Sequence, residues 1–115
     1  MTHHTAEHRS QAMNQCIEDC SQCERVCLET INYCLGEDHA DSAHIALLAA
    51  CADICGTGAR TMLRSAAVHA AVCKACAEVC RECAASCEGF DDAEMEGCAE
   101  ACRRCAKSCD AMAAR

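Results

Sequence analysis

The sequence has no proline and no tryptophan, and only one tyrosine and one phenylalanine in 115 residues. Without proline, nothing inside a helical stretch forbids its continuation. Without aromatic rings, the side chains that usually dominate a core by buried area are missing. Branched aliphatics are scarce too, so the 52% hydrophobic fraction rests largely on alanine and on 16 cysteines. A core of the aliphatics alone would be thin for a chain of this length. Either the cysteines form the core or the fold has another source of stability. Positive charge is also short. Ten Lys and Arg against 18 Asp and Glu leave a net charge of −8, which argues against nucleic acid and against an anionic membrane as partners. No apolar run approaches the roughly 20 residues of a membrane span. The opening MTHHTAEHRS has no apolar stretch that would serve as a signal peptide. These features predict a cytoplasmic protein with reduced thiols.

What is present is helical period. Cys16, Cys20, Cys23, Cys27 and Cys34 follow Met13 and flank Thr30 at steps of three and four. A second stripe runs His44, Leu48, Cys51, Cys55, Gly58, Met62. A third runs His69, Cys73, Cys76, Cys80, Cys83, Cys87, and a fourth Met95, Cys98, Cys102, Cys105, Cys109, Met112. Each is the seam of an amphipathic helix, with charge on the other faces. Gly36 is expected to close the first helix, Asp41 or Ser42 to open the second, and Gly89 to close the third. Asp91 with Glu94 reads as a capping box for the fourth. The turn between helices two and three has no glycine or proline. A one-residue slip in the stripe places it near 65–69, with Ser65 as the only polar cap candidate. Short connections favour antiparallel neighbours. The predicted fold is all-α, an up-down-up-down antiparallel four-helix bundle with a cysteine-lined core, forming one domain over 1–115 with residues 1–10 as a mobile N-terminus.

Disulfides do not account for the pattern. Residues at i,i+4 on a helix have Cβ atoms about 5–6 Å apart, whereas a disulfide needs about 3.5–4.5 Å. Cysteine as a small buried hydrophobe suits one or two positions, not a whole seam of oxidisable thiols. Metal binding suits the spacing. Seven i,i+4 pairs are present: Cys16/Cys20, Cys23/Cys27, Cys51/Cys55, Cys76/Cys80, Cys83/Cys87, Cys98/Cys102 and Cys105/Cys109. Thiolate selects copper(I), zinc or iron–sulfur clusters. Charge separates these. The seams carry no Lys or Arg to compensate buried thiolates. Cu(I) replacing a thiol proton leaves the core neutral, whereas an isolated zinc in four thiolates leaves about −2 per site. Iron–sulfur clusters commonly take loop cysteines. A zinc or cadmium thiolate buffer and a thiol-based redox protein remain the alternatives. The redox reading would want exposed, low-pKa cysteines beside cations.

A short, proline-free chain with CxxxC pairs on four helices resembles the four-helix-bundle copper storage proteins, in their cytosolic branch. The resemblance covers about residues 10–112. It implies a bundle holding many Cu(I) ions through CxxxC pairs, and a homotetramer. Carried over, all sixteen cysteines become candidate ligands, with Cys51 and Cys55 the sparse share of helix two.

Weaker candidates remain. His69 and His44 start or lie on seams, and Met13, Met62 and Met112 sit on seams as thioethers. His3, His4 and His8 read as a solvated tail and His39 as a loop histidine. No nucleophile with a paired base is present, so the chain is not expected to be an enzyme. Topology gathers Met13, Met62, His69 and Met112 at one end of the bundle (end A). Tyr33, His44, Leu48, Phe90 and Met95 gather at the other (end B). End A, with labile ligands and no ring to plug it, is the expected mouth for metal. Ile17, Leu28, Ile31 and Leu35, with Leu47 and Ile54, form a second apolar set suited to a subunit interface.

Overall fold

The computed structural model describes residues 9–37 and 40–114. Four helices account for most of them: α1 Gln11–Leu35, α2 Ser42–Leu63, α3 His69–Glu88 and α4 Ala93–Ala113. Each packs on its two neighbours in a ring, α1 on α2, α2 on α3, α3 on α4, and α4 back on α1. This is the antiparallel bundle expected from the seams. At 1.5 Å per residue, the 25 residues of α1 run about 37 Å.

Three helices open on a side-chain cap. Ser10, Asp41 and Asp92 accept from the backbone N–H of Met13, His44 and Met95 at 3.1, 3.1 and 2.8 Å. Each bond satisfies an otherwise orphaned donor, that of the first seam residue in the helix's opening turn. The Asp91/Glu94 capping box is therefore corrected. Asp92 is the cap, and the residue three further on is Met95. Arg9 Nε donates to Asn14 Oδ1 at 2.7 Å, so residues 9 and 10 engage α1 directly.

The α2–α3 turn has a different construction from the expected one. Ser65 does not cap α3. It follows the end of α2 with φ 56°, left-handed for a residue with a Cβ. Ser65 N bonds Met62 O at 3.0 Å and Ala66 N bonds Thr61 O at 2.9 Å. This bond pair closes a helix through a left-handed residue, a place usually held by glycine. The turn lies where the slip in the stripe places it, and the absence of glycine hid only how it closes.

α2 also departs from the composition-level expectation. By length and composition it is apolar enough to match a membrane span, with a window hydropathy of 1.3. Its buried residues, among them His44, Leu48, Cys51, Cys55 and Met62, face the bundle instead.

The core is sulfur. All sixteen cysteines are buried, fifteen of them with no exposed surface, together with Leu48, Met62 and Met112. Among the described residues, the buried polar or charged ones are three: Asp19, Thr30 and His44. Thr30 Oγ1 donates to Val26 O at 2.7 Å. Asp19 accepts from Gln15 Nε2 at 3.0 Å and from the Ser108 hydroxyl. The Asp19–Ser108 bond ties α1 to α4, the helix pair that no loop connects.

Candidate metal centre

Helical period brings thiols onto one stripe of each helix, and the ring of four helices turns those stripes inward. The sulfurs then meet across helices more closely than along them. Four of the i,i+4 pairs, Cys16/Cys20, Cys23/Cys27, Cys76/Cys80 and Cys105/Cys109, have sulfurs 3.9–4.0 Å apart. Interhelical contacts reach 3.5 Å for Cys20 to Cys109, 3.6 Å for Cys20 to Cys105 and 3.6 Å for Cys55 to Cys80. Others join Cys55 to Cys76 and Cys51 to Cys80 at 3.7 Å, and Cys23 to Cys102 at 3.8 Å. Cys27 to Cys98 at 3.9 Å continues the ladder towards end B. All are far longer than a disulfide bond of about 2.05 Å.

Five groups have sulfurs mutually within 4.8 Å: Cys20/Cys76/Cys105/Cys109, Cys23/Cys27/Cys51/Cys102, Cys23/Cys55/Cys80/Cys105, Cys27/Cys83/Cys98/Cys102 and Cys16/Cys73/Cys109. The groups overlap. Cys23, Cys27, Cys102, Cys105 and Cys109 each belong to two. Spacing alone suggested independent i,i+4 chelates, whereas the packing makes one interlocked lattice. Cys34 and Cys87 stand outside these groups.

Burial opposes ionisation of the thiols in the metal-free tube, while hydrogen bonds among the sulfurs push some up and others, such as Cys51 and Cys76, down. Cys55 is pushed far up, first by its hydrogen bond with Cys105 and further by burial. Cys102 is pushed far up by hydrogen bonds, that with Cys23 first. Burial, then the Asp92 charge, raises Cys34. Among the described residues, no Lys or Arg is buried, so a thiolate formed in the core needs a cation brought in with it.

The two ends differ. At end B, His44 is buried, and burial holds its imidazolium form below the usual range. Its Nδ1 lies 2.7 Å from Ser86 Oγ. Its Nε2 lies 3.3 Å from Met95 Sδ and 4.0 Å from Cys87 Sγ. With Nδ1–H donating to Ser86, Nε2 presents a lone pair beside a thioether and a thiol, as a metal-binding histidine does when its other ring nitrogen is held by a hydrogen bond. A cavity of about 150 Å³ leads to this set. Tyr33, Cys34, Glu37, Asp41, His44, Phe90, Asp92 and Met95 are among its lining residues. The two rings line the cavity rather than plug it. Phe90 lies against His44 at 4.6 Å between ring centroids, and the Tyr33 hydroxyl donates to Asp92 at 3.3 Å.

At end A, Met62 and Met112 are fully buried, and Cys73 Sγ lies 4.0 Å from Met62 Sδ. His69 Nδ1 donates to Ala66 O at 3.1 Å, which leaves its Nε2 as the acceptor nitrogen. The depression beside His69 and Met13 is lined by Arg9, Ser10, Ser65, Ala66 and Ala67, and no thiol reaches it. His3, His4, His8 and His39 lie outside the described residues. Ser86 and the acidic rim of Glu37, Asp41 and Asp92 were not singled out from sequence. Ser86 sits one residue before Cys87, and only the α2–α3 packing reveals its partner.

The sequence profile of the copper storage protein family matches residues 9–114. A crystal structure of a Nitrosospira multiformis protein is 42% identical, with a TM-score of 0.85, covering 90% of this chain and 96% of that one. The Cu(I)-bound copper storage protein BsCsp3 of Bacillus subtilis is 33% identical with a TM-score of 0.86, covering 90% and 99%. A cytosolic copper storage protein from Streptomyces lividans, described with five coppers, is 33% identical with a TM-score of 0.86, covering 91% and 94%. No curated protein sequence matches the chain.

Proposed function

The chain belongs to the copper storage protein family, and from that membership we propose that it holds many Cu(I) ions in the cytosol through the thiolates of its core. One observation carries the reading: a continuous ladder of buried sulfurs, with neighbours 3.5–4.0 Å apart and no cation among them. Cu(I) replaces the thiol proton, so filling leaves the tube neutral, whereas isolated zinc sites would accumulate negative charge. The relatives described with Cu(I) and with five coppers in the cytosol support metal and compartment alike.

The ligands on this reading are the sixteen cysteines, joined at end B by His44 and Met95. Met62 and Met112, with Met13 and His69 beyond them, close end A. Ions are admitted at end B, the reverse of the sequence expectation. What supports this is a cavity that reaches Cys34 and His44 under an acidic rim, where a cation is drawn in by the field. The chain acts by binding and release rather than by turnover. It assembles as a homotetramer. The support is the apolar set on α1, where Leu28 and Leu35 are 53% and 65% exposed.

Anaerobic Cu(I) titration of the reduced protein against a competing chelator tests the reading. A capacity well above about four ions per chain is expected from thiolate sharing. A capacity of one or two overturns storage in favour of a carrier or sensor.

A further inference from the structure

Gly58 is buried on the α2 seam, and it is the seam position that places no side chain in the sulfur core. A Cβ built there would lie 3.5 Å from Cys20 Sγ, an ordinary van der Waals contact. Alanine would therefore fit the metal-free core without displacing anything, and alanine is the better helix former. Gly56 differs, since a Cβ there would come within 2.5 Å of Glu24 Oε2. Metal-free packing thus gives no steric reason for a glycine at 58.

Cys20 also takes part in the shortest sulfur–sulfur contact of the core, with Cys109. Its sulfur lies 3.5 Å from Cys109, 3.6 Å from Cys105 and 4.0 Å from Cys16. A soft metal ion sits about 2.3 Å from thiolate sulfur. Two thiolates sharing one ion then stand about 4.0 Å apart in trigonal geometry and about 4.6 Å apart in linear geometry. Loading must move Cys20 Sγ away from Cys105 and Cys109 by roughly 0.5–1 Å. The sulfurs of Cys16, Cys105 and Cys109 press on it and Cys76 completes its group, while Gly58 lies against it without a side chain. We infer that Gly58 is expansion room for the loaded lattice, a capacity-setting residue that lets Cys20 recede when Cu(I) enters the Cys20/Cys76/Cys105/Cys109 group. The inference rests on the storage reading and adds a steric limit to it.

Gly58→Ala, with Gly97→Ala as control, tests it. Gly97 is exposed on α4, and a Cβ there meets nothing within 4 Å. Both changes should raise the thermal midpoint of the reduced, metal-free protein by about 3–5 °C, the expected gain from glycine to alanine in a helix. Gly58→Ala alone should lower Cu(I) capacity by about one or two ions, or weaken the last-loaded ions about tenfold, in anaerobic titration against a chelator. In a Cys20→Ala background, Gly58→Ala should cause no additional loss, because the sulfur that needs the space is gone. Equal capacity and equal competition curves for Gly58→Ala and wild type overturn the inference. So does a lowered metal-free midpoint, which would assign the glycine to metal-free packing. A wild-type capacity of one or two ions is a separate outcome that overturns the storage reading itself.

Discussion

Cys105 and Cys34 should not be equivalent, although both are seam cysteines. Cys105 Sγ lies 3.6 Å from Cys20, 3.8 Å from Cys55 and 4.0 Å from both Cys76 and Cys109. It belongs to two of the four-thiol groups, and Cys34 belongs to none. At about one ion per thiol, a thiolate inside the lattice bridges two ions, whereas one at its edge, such as Cys34, holds no more than one. Removing a bridging sulfur then strands two ions on single thiolates. Cys105→Ala should therefore lower capacity by about two ions, and Cys34→Ala by no more than about one, given the soft-ligand requirement. Deleting one buried sulfur costs about 1 kcal/mol, by analogy with a buried methylene. That is a fraction of the roughly 5–15 kcal/mol of a small domain, so both variants stay folded. The assay is the breakpoint of an anaerobic Cu(I) titration with a chromophoric chelator, with far-UV circular dichroism as the control. Equal losses would refute the sharing. Complete loss of binding in Cys105→Ala with helicity intact would show one indivisible cluster, and would refute the partial lattice.

Loading should release about one proton per Cu(I), because burial and neighbouring thiols hold groups such as Cys55 and Cys102 protonated. Apparent affinity then falls as pH falls. A weakly buffered titration with a pH indicator measures the release, and no release would mean that the thiols were already ionised. His44→Ala with Met95→Leu should slow loading and chelator-driven removal several-fold at near-constant capacity, while Met62→Leu with His69→Ala leaves the rates unchanged. Stopped-flow absorbance distinguishes them, and the opposite ranking would put the mouth at end A. Ser65→Gly should stabilise the metal-free protein by about 0.5–1 kcal/mol. Glycine removes a left-handed penalty of about 1–2 kcal/mol and returns part of it through a freer unfolded chain. A lower thermal midpoint for Ser65→Gly would refute that account of the turn.

The steps of three and four among the cysteines determined by themselves that there are four amphipathic helices with a thiol face. The residue types on those faces determined that the cargo is soft, and that a core taking one Cu(I) per thiol proton would be neutral. Covalent geometry makes both inferences local: a helix turns by the same angle per residue wherever it sits, and a thiol is soft in any fold. Pairing of sulfurs across helices was not legible. It depends on the rotation and axial stagger of each helix against its neighbours, and only the packed bundle sets those. Cys20 lies closer to Cys105 and Cys109 than to Cys16, its own i,i+4 partner, for that reason. The same packing brought Ser86 to His44, left an accessible cavity at end B, and set Gly58 against Cys20. Ser65 shows the other limit. Its left-handed turn follows from how α2 must end for α3 to return along it, and its side chain carries no local signal of the kind that glycine supplies.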